Sequence, residues 1–286
     1  MNVLMTGSHG FVGTNLIEAL GSTYHIIRWD AREDKPLPEC DVVIHLAGLA
    51  HDTKRSQMSK GRWKKEDYYR VNTELTKRIY DRFLESGAKK FVFFSSIKAQ
   101  DGDTAYAMSK KAAEEYILSR RHGYKQTFIL RPCMIHGKGN KGNLNLLVKW
   151  VKKGLPWPLA AFENKRSFAS MGNVAYVVSE LLEKNIESGI YIICDDEAVS
   201  TNELIGLICE CLGKKAHMWR IPKGMMKGFA KVGDALHLPL NTESLGKLTE
   251  NYIFNNRDIK QALCVEQMPV KAKVGLKESL RSMIKD

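Results

Sequence analysis

The chain reads as an α/β protein built on a doubly wound parallel sheet, with a smaller helix-rich region after it. Three observations predict this. Short apolar runs alternate with helical stretches through the first half. A glycine triplet, Gly7-Ser8-His9-Gly10-Phe11-Val12-Gly13, stands between the first apolar run and the first such helix. After Arg131-Pro132 the alternation stops and turn-rich, helix-rich sequence follows.

The predicted strands are residues 3–5, 25–29, 42–46, 91–94 and 127–130. Each is almost continuously apolar, as strands covered on both faces are. Helices are predicted over 11–20, 69–84 and 105–119; in the second, Leu75, Ile79 and Phe83 recur at i, i+4 spacing. Strands that alternate with helices of this length form a parallel sheet. Past residue 132, the stretch 137–143 is a glycine-rich loop, a helix over 144–153 follows, and 154–158 breaks it. Ser200-Thr201-Asn202-Glu203 is a capping box that opens a helix to Leu212. The chain ends in helical sequence from Val270 onward. The predicted division is a dinucleotide-binding core over 1–132 and a substrate-binding region over 133–286, some of whose segments return to the sheet. No internal repeat or low-complexity segment interrupts either part.

Composition excludes several classes. With 44% hydrophobic and 27% charged residues, the 286-residue chain is an ordinary globular one. The net charge of +12 is spread without long basic runs. It suits a solvated basic surface first, an acidic ligand such as a nucleotide sugar second, and an anionic membrane surface third. No element resembles a nucleic-acid reader. Cys40, Cys133, Cys194, Cys209, Cys211 and Cys264 match no zinc spacing, so no metal site is expected. Most lie in apolar stretches as free thiols do, which points to a reducing cytoplasm. The sequence opens directly into a strand, without a signal-peptide pattern. No apolar run approaches the ~20 residues of a membrane span.

Gly7, Gly10 and Gly13 allow a tight turn and close backbone approach to a pyrophosphate, as in a Rossmann-type fold. The N–H groups that open the following helix, among them those of Phe11 and Val12, then face the phosphates. Asp30 closes the second strand, where an acid accepts both ribose hydroxyls and repels a 2′-phosphate; the cofactor expected is therefore NAD. Arg28 and Arg32 flank it and keep NADP open.

Tyr106 and Lys110 lie four apart on a predicted helix and share a face. A nearby ammonium lowers a phenol's pKa, so this tyrosine can exchange a proton with a sugar oxygen while hydride moves at the same carbon. Ser96, at the end of the fourth strand, would hydrogen-bond that oxygen, with Ser95 as the substitute. His45, on a buried strand, reads as a packed residue. Trp150 and Trp157 read as core residues before they read as a platform for a base.

On these residues the chain resembles the extended short-chain dehydrogenase/reductase family. The resemblance extends over nearly the whole length. It includes the glycine turn, Asp41-Val42-Val43-Ile44-His45-Leu46-Ala47-Gly48, Tyr69-Arg70-Val71-Asn72, Phe91 to Ser96, the Tyr/Lys helix and Leu130-Arg131-Pro132. Within the family it is most similar to reductases and epimerases of bacterial surface-polysaccharide sugars, through Ser95-Ser96-Ile97-Lys98 and residues 137–167. The resemblance implies catalysis by Ser96, Tyr106 and Lys110. It implies cofactor contacts from Ala47 and Gly48, from Tyr106 and Lys110, and from Pro132 and Cys133 beside the nicotinamide. It implies a nucleotide-diphosphate sugar held by Ser96, Asn143 and Arg166. Cys133 reads as a small apolar filler before it reads as a thiol base, and the alternative for Arg166 is a surface ion pair. Many members form homodimers through the two long helices flanking the central strands; for this chain the point stays open.

Two departures stand out. Ser96 and Tyr106 are only ten residues apart, where the family has a longer loop, and the stretch 30–41 is too short for the usual third strand. The implied reaction is NAD(P)-dependent reduction of a nucleotide-diphosphate 4-keto sugar, of the UDP-4-keto-6-deoxy-N-acetylhexosamine type. A 4-epimerase is the alternative. A 4,6-dehydratase is disfavoured, because Ile97-Lys98 replace the Asp-Glu pair of those enzymes. A non-catalytic dinucleotide sensor or scaffold is the reading from another class, and the intact Tyr106/Lys110 pair argues against it.

Overall fold

A computed structural model describes residues 1–32, 35–50, 63–121, 123–140, 142, 144–236, 238 and 241–285. Six strands form one parallel sheet: β1 (Asn2–Thr6), β2 (His25–Trp29), β3 (Val42–His45), β4 (Lys90–Phe94), β5 (Gln126–Pro132) and β9 (Gly189–Ile193), in the order β2-β1-β3-β4-β5-β9. Leu4 stands opposite both Ile27 and Val43, and Val92 opposite Phe128. The order runs outward in both directions from β1 and β3. Their carboxyl ends therefore flank the crevice where a doubly wound sheet holds its ligand.

The helices of this sheet are α1 (Phe11–Leu20), α2 (Lys65–Tyr68), α3 (Leu75–Glu85), α4 (Lys98–Asp101) and α5 (Ala105–Ser119). Ile79, Tyr80 and Phe83 of α3 and Ile117 of α5 pack with Leu4, Val43, Phe91, Phe93 and Ile129 of the strands in one buried cluster. In the four inner strands, β1, β3, β4 and β5, almost every position is buried, which explains the lack of polar alternation in their sequence, while the edge strands β2 and β9 are only partly buried.

The predicted strands and helices of this half are present, with three differences. The helix expected over 69–84 begins at Lys65, and Tyr69–Glu74 between α2 and α3 is π-helical. Asn72 in that wide turn is fully buried; its Oδ1 accepts Leu49 N (2.8 Å) and its Nδ2 donates to Ser109 Oγ (3.0 Å). The extra residue in the turn is matched by these bonds, which no i, i+4 pattern reports. Strand β9 is absent from the predicted set, although Ser188-Gly189 mark a turn before its short apolar run Ile190–Ile193. At the other edge β2 has no outer neighbour among the described residues.

The chain divides into two compact units. The first holds Met1–Cys133, Val174–Ile193 and Asn256–Gln267; the second holds Met134–Asn173, Cys194–Asn255 and Met268–Asp286. The second unit contains β6 (Met134–His136) parallel to β8 (Phe168–Ser170), and β7 (Lys165–Arg166) antiparallel to β10 (Val199–Ser200). Its helices include α6 (Leu144–Lys152), α8 (Thr201–Cys211), α9 (Lys223–Ala235), α10 (Thr242–Thr249) and α12 (Ala272–Lys285); α7 (Met171–Glu183) and α11 (Arg257–Leu263) lie mainly in the first unit. The predicted capping box opens α8: Ser200 Oγ accepts Glu203 N at 3.0 Å and the Glu203 carboxylate accepts Ser200 N at 2.9 Å. The core of this unit is Leu144, Val148, Trp157, Phe168, Leu204, Ile208, Leu276 and Leu280. A buried polar tie joins it: His136 meets Ser279 Oγ at 2.8 Å and Asp195 Oδ2 at 3.3 Å, and Asp195 Oδ1 accepts Ser170 N and Asn173 Nδ2. All six cysteines are free; Cys40, Cys133, Cys194 and Cys209 are buried and Cys264 is exposed. Among the described residues no helix is long and apolar enough to cross a membrane.

Candidate active site

The glycine turn leaves the carboxyl end of β1 and closes with a bond from Gly10 N to Gly7 O at 3.0 Å. Gly7 has φ +66°, and a Cβ there would lie 2.6 Å from Ala47 N; one at Gly13 would lie 2.5 Å from Gly7 O. Neither position has room for a side chain, so the turn packs directly on the Ala47-Gly48 strand end. Thr6 Oγ1 accepts both Leu46 N and Ala47 N at 3.2 Å and fixes that end. Gly10 caps α1 with an extended backbone, no side chain caps the helix, and no acid lies in its first turn. The N–H groups of Phe11 and Val12 thus open a helix suited to a phosphate. Asp30 follows β2, and the Arg32 guanidinium beside it (2.6 Å) holds its carboxyl down at about 2.

The catalytic candidates converge at the end of β4. Thr104 Oγ1 accepts Ala107 N (3.2 Å) and caps α5, which carries Tyr106 and Lys110. The Tyr106 phenol is buried and hydrogen-bonded to the Ser96 side chain. Ser95 turns away and donates to Glu114. The structure therefore brings Ser96, rather than its substitute, to the tyrosine. The single turn α4 takes up the short Ser96–Tyr106 connection.

Lys110 Nζ donates to Phe94 O at 2.8 Å and lies 4.8 Å from the centre of the Phe93 ring. Burial pushes its pKa down to about 8, and the Glu114 carboxylate opposes the fall. From the sequence this ammonium is expected to lower the Tyr106 phenol; in the structure burial pushes the phenol up, the Ser96 bond opposes it, and the Lys110 ammonium donates to the Phe94 carbonyl. His45 is packed, as expected: its ring bonds Thr6 Oγ1 (2.7 Å) and Thr76 Oγ1 (3.0 Å), and burial holds it neutral with a pKa of about 3.

Sequence reasoning missed two groups. Glu114 is 1% exposed and forms a fork with Arg131, with contacts at 2.6 and 3.1 Å, while it accepts from Ser95. Asn72 ties Leu49, beside Gly48, to Ser109 on α5. The available signal was the row Tyr106, Lys110, Glu114 at i, i+4, i+8.

The remaining candidates are spread over both units. Pro132 and Cys133 are buried at the end of β5, where Pro132 O accepts Ile97 N (3.1 Å) and Cys133 N donates to Ile193 O (2.9 Å). Arg166, in the second unit, donates through Nη2 to Lys247 O, while its buried Nε has no hydrogen-bond partner among the described residues. Burial lowers its pKa, with Glu250 opposing. Such an N–H is a donor that an anionic group could meet. Asn143 lies outside the described residues. Trp157 is a core residue bonded to Asn202 Oδ1 (3.0 Å), whereas Trp150 is exposed.

A turn built for pyrophosphate beside a buried Ser/Tyr/Lys set defines a dinucleotide-dependent oxidoreductase site. The model of the NAD dependent epimerase/dehydratase family matches residues 3–194, and the chain belongs to that family. Among curated relatives, a UDP-glucose 4-epimerase of Vibrio cholerae is 28% identical over 274 residues, 81% of this chain and 82% of that protein. A UDP-2-acetamido-2,6-beta-L-arabino-hexul-4-ose reductase of Pseudomonas aeruginosa is 33% identical over 158 residues, 52% of this chain and 39% of that protein. The UDP-glucuronic acid 4-epimerase of Bacillus cereus, solved with NAD, has a TM-score of 0.75 at 16% identity and covers 100% of this chain and 99% of its own, a likeness of fold. The protein is an NAD-dependent enzyme of the epimerase/reductase kind. The bare glycine turn, with no space for a Cβ at Gly7 or Gly13, fits that cofactor.

A Cβ at Gly10 would meet only Gly7 O, at 3.2 Å. Gly10→Val is therefore expected to keep the fold and its melting temperature while weakening NADH binding by about a hundredfold or more, read by calorimetric titration. Glu114 supports the charge of Lys110. An NMR titration of the Lys110 side chain is expected to show its midpoint near 8, and Glu114→Gln is expected to move that midpoint to lower pH.

Proposed function

We propose that this protein reduces the 4-keto group of a nucleotide-diphosphate sugar, with a UDP-linked 4-keto-6-deoxy-N-acetylhexosamine as the favoured substrate and surface-polysaccharide assembly as the setting. The observation that carries the reading is the buried Tyr106 phenol, hydrogen-bonded to Ser96 and pushed up by burial. Such a phenol is protonated at neutral pH and serves first as an acid. Ketone reduction asks for an acid, whereas oxidation of a hydroxyl asks for a base. The relatives above, two 4-epimerases and a hexul-4-ose reductase, support C4 as the reacting carbon.

Bound NADH supplies a hydride. Ser96 holds the oxygen on C4, and Tyr106 gives that oxygen its proton. Lys110 stabilises the phenolate left behind, which regains a proton from solvent. Arg166 takes the diphosphate with the N–H that has no partner. Asp30 takes the adenosine ribose.

A second reading, 4-epimerisation, is favoured by one observation: the relative that aligns over four-fifths of both chains is named a 4-epimerase. It would use the same residues twice, with tightly kept NAD. The two readings part on stoichiometry. With a panel of UDP- and dTDP-4-keto sugars, reduction consumes one NADH per sugar and yields a product two hydrogens heavier by mass spectrometry. Conversion of a UDP-hexose to its 4-epimer without added NADH would establish the second reading. No turnover of any sugar would leave a dinucleotide sensor.

Tyr106→Phe is expected to lower kcat about a hundredfold to ten-thousandfold with KM little changed, since it removes the proton and leaves the ring. Near-normal turnover would refute the role. Arg166→Ala is expected to weaken UDP binding about tenfold to a hundredfold, the loss of one charge-assisted contact, and to leave NADH affinity unchanged. Calorimetry with UDP and NADH separately reads both.

A further inference from the structure

Helix α9 of the second unit buries only one narrow side. Met226, Ala230 and Gly233 face the unit. Met225, Phe229 and Val232 are each half exposed, at 54%, 51% and 54%, and Leu236 just beyond is 64% exposed. At helical spacing these four form one stripe, i, i+4, i+7 and i+11. Trp219, just before the helix, is 58% exposed, and Leu238, just after, is 47% exposed. A row this long and apolar needs a partner.

The opposite side of α9 carries Lys223, Lys227 and Lys231, all exposed. Between residues 214 and 238 the sequence holds six basic residues, these three with Lys214, Lys215 and Arg220, against one acid, Asp234. Asp234 is engaged by Thr242 at the start of α10, accepting from its backbone N at 3.1 Å and from its hydroxyl. The segment therefore presents a nearly uncompensated positive charge beside its apolar stripe.

We propose that α9, with Trp219 leading into it, docks the protein on an anionic lipid surface, the helix lying in the interface. The division of its faces is that of an interfacial helix, with large apolar side chains on one face and lysines on the other. Phe229, Met225, Val232 and Leu236 would enter the acyl boundary. Trp219 would sit at headgroup level, where an amphipathic ring is favoured, and the flexible lysine stems would reach the phosphates. A second copy of the chain is a poorer occupant, because it would set six bases and one acid against the same set. A nucleic acid would use the lysines and leave the apolar stripe in water. The inference is independent of the sugar chemistry proposed above.

The test is co-sedimentation of the full chain with vesicles of equal parts phosphatidylglycerol and phosphatidylcholine, and with phosphatidylcholine alone, at low and high salt. Binding to the anionic vesicles is expected to exceed binding to the neutral ones by about tenfold or more, since each lysine near such a surface contributes about fivefold. The double variant Met225→Glu, Phe229→Glu and the triple variant Lys223→Glu, Lys227→Glu, Lys231→Glu are each expected to lose about tenfold or more in binding. All five substitutions fall on exposed side chains, and unchanged melting curves would separate lost docking from lost folding. Absence of binding to anionic vesicles overturns the proposal. So does undiminished binding of the double variant, which would trace the attraction to the net charge of the chain. A dimer, seen by light scattering, that Phe229→Glu dissociates while vesicle binding persists would assign the stripe to a second copy.

Discussion

The first unit is organised around one buried cation. Lys110 is 4% exposed, and an ammonium taken that far from water must be compensated on every side. The Phe94 carbonyl, the Phe93 ring and the Glu114 carboxylate supply this. Glu114 is itself buried and is held in turn by Arg131 and Ser95. The strand end that follows Phe94 is thereby pinned, and Ser96 is left facing Tyr106. Gly48 belongs to the same arrangement, since a Cβ there would lie 3.2 Å from Lys110 Nζ. His45 stays neutral partly because this cation is near.

Two opposing pressures meet at this cation. Burial draws Lys110 toward neutrality and Glu114 draws it back. The result is an amine that ionises not far above neutral pH, beside a phenol held protonated by its own burial. That ordering suits the reduction proposed above, in which the phenol first gives a proton. The proposed direction of hydride transfer rests on this ordering more than on the presence of the residues.

Most of the sheet was legible because buried parallel strands are written as unbroken apolar runs, and because Gly7, Gly10 and Gly13 fall between the first such run and a helix. The residues of the Tyr/Lys helix were legible from their four-residue spacing. What stayed hidden depended on partners distant in sequence. The choice of Ser96 over Ser95 is made by Glu114, nineteen residues beyond Ser95. The pKa of Tyr106 is set by depth, which local spacing does not encode. The π turn arises from bonds between Asn72 and residues 23 and 37 positions away. Strand β9 forms only because β5 offers it an edge.

That π turn bears on how the protein can change over evolutionary time. Tyr69–Glu74 accommodates one residue more than an α-helix would, and Asn72 reaches inward because of it. Loss of a single residue from this stretch would restore regular winding and swing the asparagine by about 100° around the axis. Leu49 and Ser109 would be released from each other, although neither the glycine turn nor the Tyr/Lys pair had been altered. Drift in this segment is therefore constrained in length more tightly than in identity, and an insertion or deletion there separates the Gly48-Leu49 stretch from the Tyr/Lys helix at one stroke.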